Sequence, residues 1–175
     1  MNEDIEKFLD DTITHKIYVL ESAKILYKYL LNNGDFDLAI ELLKRCAKHD
    51  DSKFEYEEIF SFISIPKNND GMKNPNTEMD EFMKKAIRVH WKNNRHHPEY
   101  HNDLNNMTEL DILEMACDCY SRSIQFGTDL LKFIEIRQNE RFNLPIDIYE
   151  KYKFYCTILV SANQKEKGNS KKLTK

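Results

Sequence analysis

Apolar residues recur along most of this chain at the three- and four-residue spacing that places them on one face of a helix. The pattern predicts a first helix over residues 14–32, which is ended by the Asn-Asn-Gly sequence that reaches Gly34. A second helix is predicted from residue 35 or 36 to residue 49. The Ser-Lys-Phe-Glu sequence at 52–55 has the capping-box pattern and predicts the start of a third helix. No segment alternates as a strand does, so the pattern predicts an all-α fold.

The second half of the chain continues in the same way. Four further helices are predicted, at residues 79–96, 108–126, 128–138 and 146–163. Capping-box sequences open the first two of these, at 77–80 and 108–111, and Gly127 closes the helix that ends at residue 126. The polar segment 65–78 is rich in Asn and Pro, and we predict either a surface loop or a lid over a site.

Composition and charge narrow the class of protein. The formal net charge of −4 disfavours binding to nucleic acid through a basic surface. No apolar run approaches the roughly 20 residues that span a bilayer, and the acidic start of the chain differs from a secretory signal. We therefore expect a cytoplasmic protein without membrane association, with one domain over 1–163 and a disordered polar tail over 164–175. The oligomeric state stays open.

Histidines and acidic residues carry the candidate chemistry. His49 and Asp50 are adjacent at a predicted helix end, and imidazole and carboxylate are both good ligands for divalent metals. Four of the six histidines fall within residues 90–101. Asp118 lies in an otherwise apolar stretch, where a carboxylate costs free energy unless it is paired or bound to a metal. Asp118 is therefore the strongest single candidate for a ligand.

Several neighbouring polar residues have simpler expectations. Asp111 and Glu114 share a helical face with Asp118, and a solvated position is a fair expectation for Asp111. His101 follows a predicted turn and is expected to be exposed. Glu99 is expected either to orient a histidine or to be solvated. The four cysteines form no CxxC pair, so we expect buried, reduced thiols.

In chain order, the candidate ligands are His15, His49, Asp50, His90, His96, His97 and Asp118. This order resembles that of the HD superfamily of metal-dependent phosphohydrolases, over roughly residues 15–118. The segment 49–53 looks like the HDxGK form of its multi-metal branch, with Ser52 in place of the glycine, and the segment 96–99 looks like the paired-histidine segment of that branch. The sequences HWKNNRHHPEY and LDILEMACD also look like a family of small HD-like helical proteins from phages, bacteria and microbial eukaryotes. The resemblance implies an HD-like helical bundle of about six to seven helices.

The resemblance also implies roles for these residues. One metal site would be formed by His15, His49, Asp50 and Asp118. A second ion would be held by His90 together with His96 or His97, and Asp50 would bridge the two ions. Asp50 and Lys53 would be the catalytic residues, with Lys53 facing the substrate phosphate. Histidine and aspartate ligands suit one or two ions of Mn, Fe, Co, Ni or Zn.

The expected function is therefore that of a metal-dependent phosphohydrolase or phosphodiesterase acting on a nucleotide or another small phosphoester. Three alternatives stay open from the sequence. The first is an HD-like di-iron oxygenase, and the second is a non-catalytic module that binds metal or nucleotide. The third is a structural helical protein whose histidines have no ligand.

Overall fold

The structure, a computed structural model, describes residues 2–63 and 79–170. This part of the chain contains seven α-helices and no strand. The helices are α1 (Asn2–Asn32), α2 (Phe36–Ala47), α3 (Tyr56–Ile63), α4 (Met79–Asn93), α5 (Glu109–Phe126), α6 (Leu130–Arg137) and α7 (Ile146–Ser170). The all-α prediction is confirmed. None of the described helices combines the length and the apolar character needed to cross a membrane.

Both ends of the chain differ from the predicted helix bounds. Helix α1 begins at Asn2, because Ile5, Phe8 and Thr12 continue its inward face at helical spacing despite many intervening charges. Helix α7 extends to Ser170, into the segment for which a disordered tail was predicted. The predicted loop at 65–78, and the capping contact expected from Thr77, lie outside the described residues.

Helix α5 occupies the centre of the bundle and packs against α1, α2 and α7. Its apolar side chains are buried on more than one face, and Leu113 belongs to a hydrophobic core that side chains of the neighbouring helices complete. Fully buried members of that core include Leu26, Leu30, Leu42, Tyr152 and Leu159. Because α5 is fixed on several sides, polar side chains that it carries are held in defined positions inside the protein.

The predicted capping box at the start of α5 is confirmed. The backbone N–H of Asp111 donates to Thr108 Oγ1 at 3.3 Å, and the backbone N–H of Thr108 donates to Asp111 Oδ2 at 3.0 Å. Gly127 ends the helix in the left-handed conformation, at φ 64°. The expectation of a solvated Asp111 is wrong, since its side chain is fully buried and accepts hydrogen bonds from Arg45 and Arg95.

Loss of this cap should have a measurable cost. We expect Thr108→Ala to lower the free energy of unfolding by about 1 kcal/mol, because the N–H of Asp111 loses its acceptor. Chemical denaturation would measure the change. Thr14→Ala is the matched control, because Thr14 is exposed within α1 and alanine is favoured in a helix interior. Equal stability of Thr108→Ala and the wild type would contradict a structural role for the cap.

Candidate metal centre

The structure brings the seven candidate ligands together at one place, between α1, α2, α4 and α5. His15 comes from the middle of α1, and Asp118 comes from the facing side of α5. His49 and Asp50 follow the end of α2. The remaining members are His90 on α4, and His96 and His97 directly after it. Residues far apart in sequence therefore converge in one buried cluster.

Local backbone geometry places Asp50 in this cluster. Asp50 adopts the left-handed conformation, at φ 56° and ψ 24°, and a short 3-10 helix follows at Asp51–Phe54. Aspartate is one of the few residues that tolerates this conformation. The prediction that Ser52 caps the next α-helix is wrong, because Ser52 lies inside the 3-10 helix and α3 begins at Tyr56. Ser52 Oγ instead accepts a hydrogen bond from Asn94 Nδ2 at 2.7 Å.

The end of α4 turns both histidines of the pair toward the cluster. The helix ends at Asn93, before the predicted residue 96. The Asn94 side chain donates to the backbone oxygen of His90 at 2.8 Å, which satisfies a carbonyl near the helix end. His96 and His97 follow in non-helical backbone, with imidazole rings 4.1 Å apart. A choice between these two residues is therefore unnecessary, since both face the cluster.

One half of the cluster is formed around Asp118. His15 Nε2 lies 2.9 Å from Asp118 Oδ1, without the alignment of a hydrogen bond. His49 Nε2 lies 3.8 Å from the same oxygen and 3.5 Å from Asp50 Oδ2. The ligand atoms of His15, His49 and Asp118 all lie within 4.8 Å of one another.

The other half is formed around the second oxygen of Asp50. Asp50 Oδ1 lies 3.5 Å from His90 Nε2 and 3.7 Å from His96 Nε2. His97 Nε2 lies 3.0 Å from His90 Nε2. The ligand atoms of Asp50, His90, His96 and His97 also lie within 4.8 Å of one another. Asp50 thus stands between the two halves, with one oxygen toward each.

Four buried atoms of the cluster have no hydrogen-bond partner within residues 2–63 and 79–170: His15 Nε2, His49 Nε2, His96 Nε2 and Asp50 Oδ1. Buried polar atoms are nearly always hydrogen-bonded, because an unsatisfied one costs on the order of 1–3 kcal/mol. These four face the same small region, so one kind of ligand would satisfy all of them. Imidazole and carboxylate atoms with this spacing could hold a metal ion.

The Nδ1 atoms of the histidines face away from the cluster and are held by other side chains. His49 Nδ1 donates to Glu114 Oε1 at 3.0 Å, and His90 Nδ1 donates to Glu58 Oε2 at 2.9 Å. His15 Nδ1 lies 3.1 Å from Gln125 Oε1. A proton held on Nδ1 leaves Nε2 of a neutral imidazole free to bind a metal, and metal-binding histidines commonly have such partners.

These orienting residues were not predicted from the sequence. Glu114 could have been suspected, because it lies one helical turn before Asp118, but an acidic face of that kind is often solvated. Glu58 had no signal in the sequence. Glu114, His49 and His96 form a third group whose side-chain atoms are close enough to hold a metal. Their closeness is explained by the orienting contacts, since Glu114 Oε1 lies 3.0 Å from His49 Nδ1 and 3.4 Å from His96 Nδ1.

Neighbouring charges and hydrogen bonds keep the carboxylates of the cluster ionised despite their burial. Burial alone would raise the pKa of Asp50, but the charges of His49 and Lys53 hold it well below its usual range. The pKa of Asp118 is likewise well below its usual range, because contact with His15 and the charge of His49 outweigh burial. Burial also raises the pKa of Glu114, yet hydrogen bonds from His49 and His96 bring it to about 2. Ionised carboxylates are the form that binds a metal.

The two adjacent histidines have opposite pKa shifts. Burial and the nearby charges of His96 and His90 hold the pKa of His97 well below its usual value, so its imidazole is neutral. Burial would also lower the pKa of His96, but Glu114 and Asp50 raise it to about 9. A metal ion would displace the proton from His96 Nε2, as ligand deprotonation accompanies metal binding in general.

Lys53 contacts the cluster from the 3-10 helix. Its Nζ donates to Asp50 Oδ2 at 2.6 Å, and the residue is 8% exposed, so Lys53 is not a surface lysine. Lys16 on α1 donates to the backbone oxygen of His49 at 2.6 Å and also pairs with Asp51. Asp51 therefore holds the turn from outside and is not part of the cluster.

Two expectations for the segment after His97 need correction. The His101 side chain is only 3% exposed, and its Nε2 donates to the backbone oxygen of Arg95 at 2.8 Å. Glu99 orients no histidine; it accepts hydrogen bonds from Arg141 at 2.6 and 3.2 Å. Sequence position alone could not place these side chains. The partner of Glu99 lies 42 residues further along the chain, and the contact of His101 depends on the turn that connects it to Arg95.

A cavity of about 350 Å³ lies against the open side of the cluster. Its polar wall contains Asp50, His90, His97, Asp118 and Lys53. The rest of its lining consists of apolar, aromatic and arginine side chains, among them Trp91, Met115, Arg122, Phe133, Arg141 and Phe142. The cluster is therefore reachable by a small molecule from one side, and the volume is at the lower end of the roughly 300–1,000 Å³ typical of small-molecule sites.

Glu114→Gln tests the orienting contacts. We expect this change to weaken metal binding on the order of 10–100-fold, because His49 and His96 lose a charged acceptor. Competition with a chromogenic chelator would measure the affinity. Glu41→Gln removes the same charge from an exposed position on α2 and should leave the affinity unchanged. If both variants bind metal as the wild type does, Glu114 does not support a metal site.

Comparison with known proteins gives a family and no activity. No curated protein and no solved structure matched the chain. The model of a family of unknown function, DUF5662, matches residues 4–164, which include all seven residues of the cluster and most of α7. The chain therefore belongs to the DUF5662 family.

Proposed function

We propose that this protein is a metal-dependent phosphohydrolase of HD-like type that acts on a nucleotide or another small phosphoester. The observation that carries the proposal is the set of buried, unpartnered imidazole and carboxylate atoms beside an open cavity. Such atoms are not expected in a purely structural core, since a buried polar atom costs free energy when it has neither a hydrogen bond nor a bound ion.

The proposed ligands divide into two groups that share Asp50. His15, His49 and Asp118 would hold one ion, and His90, His96 and His97 would hold a second. The two oxygens of Asp50 face different groups, at 3.5 Å from His49 Nε2 and 3.5 Å from His90 Nε2. This arrangement supports the bridging role that the HD resemblance implies. Mixed imidazole and carboxylate ligands favour Mn, Fe, Co, Ni or Zn over Ca or Mg.

A bound divalent ion would supply Lewis acidity toward a phosphoryl oxygen and a lowered pKa for water. The residues of the chain keep the ligand set in place. Glu114 and Glu58 hold three imidazole rings by their Nδ1 atoms. Lys53 donates a hydrogen bond to the Asp50 carboxylate, so the two residues for which the sequence suggested catalytic roles are in direct contact. The surrounding burial keeps the cluster dry except where the cavity meets it.

A panel of phosphoesters tests this function. The purified protein would be assayed with Mn, Co or Ni against nucleoside monophosphates, simple aryl phosphates and phosphodiesters. We expect turnover of at least one class, lost on addition of a chelator and restored by metal. Bound metal without turnover across the panel would contradict hydrolysis and favour a binding module. Bound iron with consumption of O₂ would contradict it in favour of the oxygenase alternative.

A further inference from the structure

Among the described residues, three lysine or arginine side chains line the cavity, and two of them are already neutralised. Lys53 Nζ lies 2.6 Å from Asp50 Oδ2. The Arg141 guanidinium is held by both oxygens of Glu99, at 2.6 and 3.2 Å. Within residues 2–63 and 79–170, Arg122 forms no ion pair with a carboxylate, and its one hydrogen bond is a long contact of 3.5 Å with Gln125 Oε1. Arg122 is therefore the cation of the cavity that is available to an anion.

Arg122 is also positioned beside the metal-ligand cluster. It follows Asp118 by four residues on α5, so both side chains lie on the same face of that helix. Both residues line the cavity. The planar guanidinium can donate two parallel hydrogen bonds to a phosphate, which a lysine ammonium cannot.

Aromatic side chains also line the cavity, and one arginine packs on two of them. The Arg141 guanidinium lies 4.7 Å from the centre of the Trp91 ring and 5.3 Å from that of Phe142. Because Glu99 holds Arg141 by two hydrogen bonds, this stack is fixed. Phe133 from α6 lines the same cavity. A flat, apolar group would bury its faces here at little cost in side-chain order.

We propose that Arg122 is the residue that binds the substrate phosphate, and that the substrate is a phosphomonoester whose organic group packs against Trp91, Phe133 and Phe142. This inference rests on the proposed function for its reaction, while the anion site itself stands on the geometry of the cavity. With metal bound to the cluster, a phosphate between it and Arg122 would meet positive charge on two sides, which favours the dianionic monoester over a monoanionic diester. Hydrolysis would form a P–O bond to water and break the P–O bond to the alcohol, which leaves with a proton.

Binding of inorganic phosphate to the metal-loaded protein tests the role of Arg122 without turnover. We expect Arg122→Gln to weaken phosphate binding on the order of 10–100-fold, the loss of a charge-assisted hydrogen-bond pair, with unchanged metal content. Arg122→Lys should retain part of the affinity. Lys132→Gln, an exposed charge on α6, is the matched control and should behave as the wild type. Thermal melting of each variant checks that it is folded.

Two non-hydrolysable ligands test the aromatic wall. Phenylphosphonate should bind more tightly than methylphosphonate, and Phe133→Ala should reduce that difference. Wild-type phosphate affinity in Arg122→Gln, or equal binding of the two phosphonates, would overturn the inference. If Arg122-dependent binding is found but no phosphoester is hydrolysed, the anion site stands and the proposed hydrolysis fails. The two proposals therefore fail separately.

Discussion

Metal binding is expected to raise the free energy of unfolding by about 2.7 kcal/mol when the free ion is at 100 times its dissociation constant. The physical reason is the set of four buried atoms that have no hydrogen-bond partner in the described part of the chain. An ion that binds them in the folded state alone stabilises that state by mass action. For a chain of this length, the increase corresponds to a rise of roughly 5–10 °C in the midpoint of thermal unfolding.

Differential scanning calorimetry of chelator-treated protein, before and after addition of Mn, Co or Zn, would measure this rise. The His49→Ala/Asp50→Ala variant is the control, because it lacks ligand atoms of both halves of the cluster. Its midpoint should not respond to metal. Equal midpoints for the wild type with and without every metal tested would contradict the site.

Asp50→Asn is expected to weaken metal binding by more than the roughly 100-fold that loss of an orienting partner can cost. Asparagine keeps the size of the side chain but removes the charge and one ligand oxygen. Because the two oxygens of Asp50 face different groups of histidines, both groups should be affected. Metal titration by calorimetry, with circular dichroism to confirm folding, would measure the loss.

The neighbouring residue supplies a matched control. Asp51→Asn makes the same chemical change one position along the chain, but the Asp51 side chain is 58% exposed and pairs with Lys16 outside the cluster. We expect it to bind metal like the wild type. Similar losses in the two variants would mean that the turn between α2 and α3, and not the Asp50 carboxylate, is what matters.

The position of the cluster could be predicted because its members lie at helix ends or on marked helical faces. His49 and Asp50 end the helical pattern of α2, and Asp118 interrupts an apolar stretch of α5 with a charge. The start of α5 at Thr108 could also be predicted, because a capping box is a pattern of neighbouring residues in the sequence. Features whose cause is local in sequence were the ones that the sequence revealed.

Features whose cause lies in another element were missed. Glu58 and Glu114 orient histidines that are 32 and 65 residues away in the chain, which no local pattern can reveal. Asp111 is paired in its buried position by Arg45 and Arg95, which lie 66 and 16 residues away in the chain. Ser52 carried a genuine capping signal, but the left-handed backbone at Asp50 starts a 3-10 helix there instead.

The central position of α5 links stability to the proposed chemistry. Leu113 and Cys117 of this helix are fully buried in the core, while Glu114 and Asp118 reach the cluster. One helix therefore fixes the core, one orienting carboxylate and one proposed ligand. Arg122 continues the same face toward the cavity. Substitutions in the apolar face of α5 should consequently disturb metal binding as well as folding.

The His/Asp cluster is proposed to hold a metal, and the metal content of the protein tests this most directly. The protein would be purified without a histidine tag, and its metal measured by plasma mass spectrometry beside the His49→Ala/Asp50→Ala variant. We predict one or two equivalents of a transition metal in the wild type and a large loss in the variant. Equal metal content in the two proteins would contradict the account and leave the histidines as structural residues.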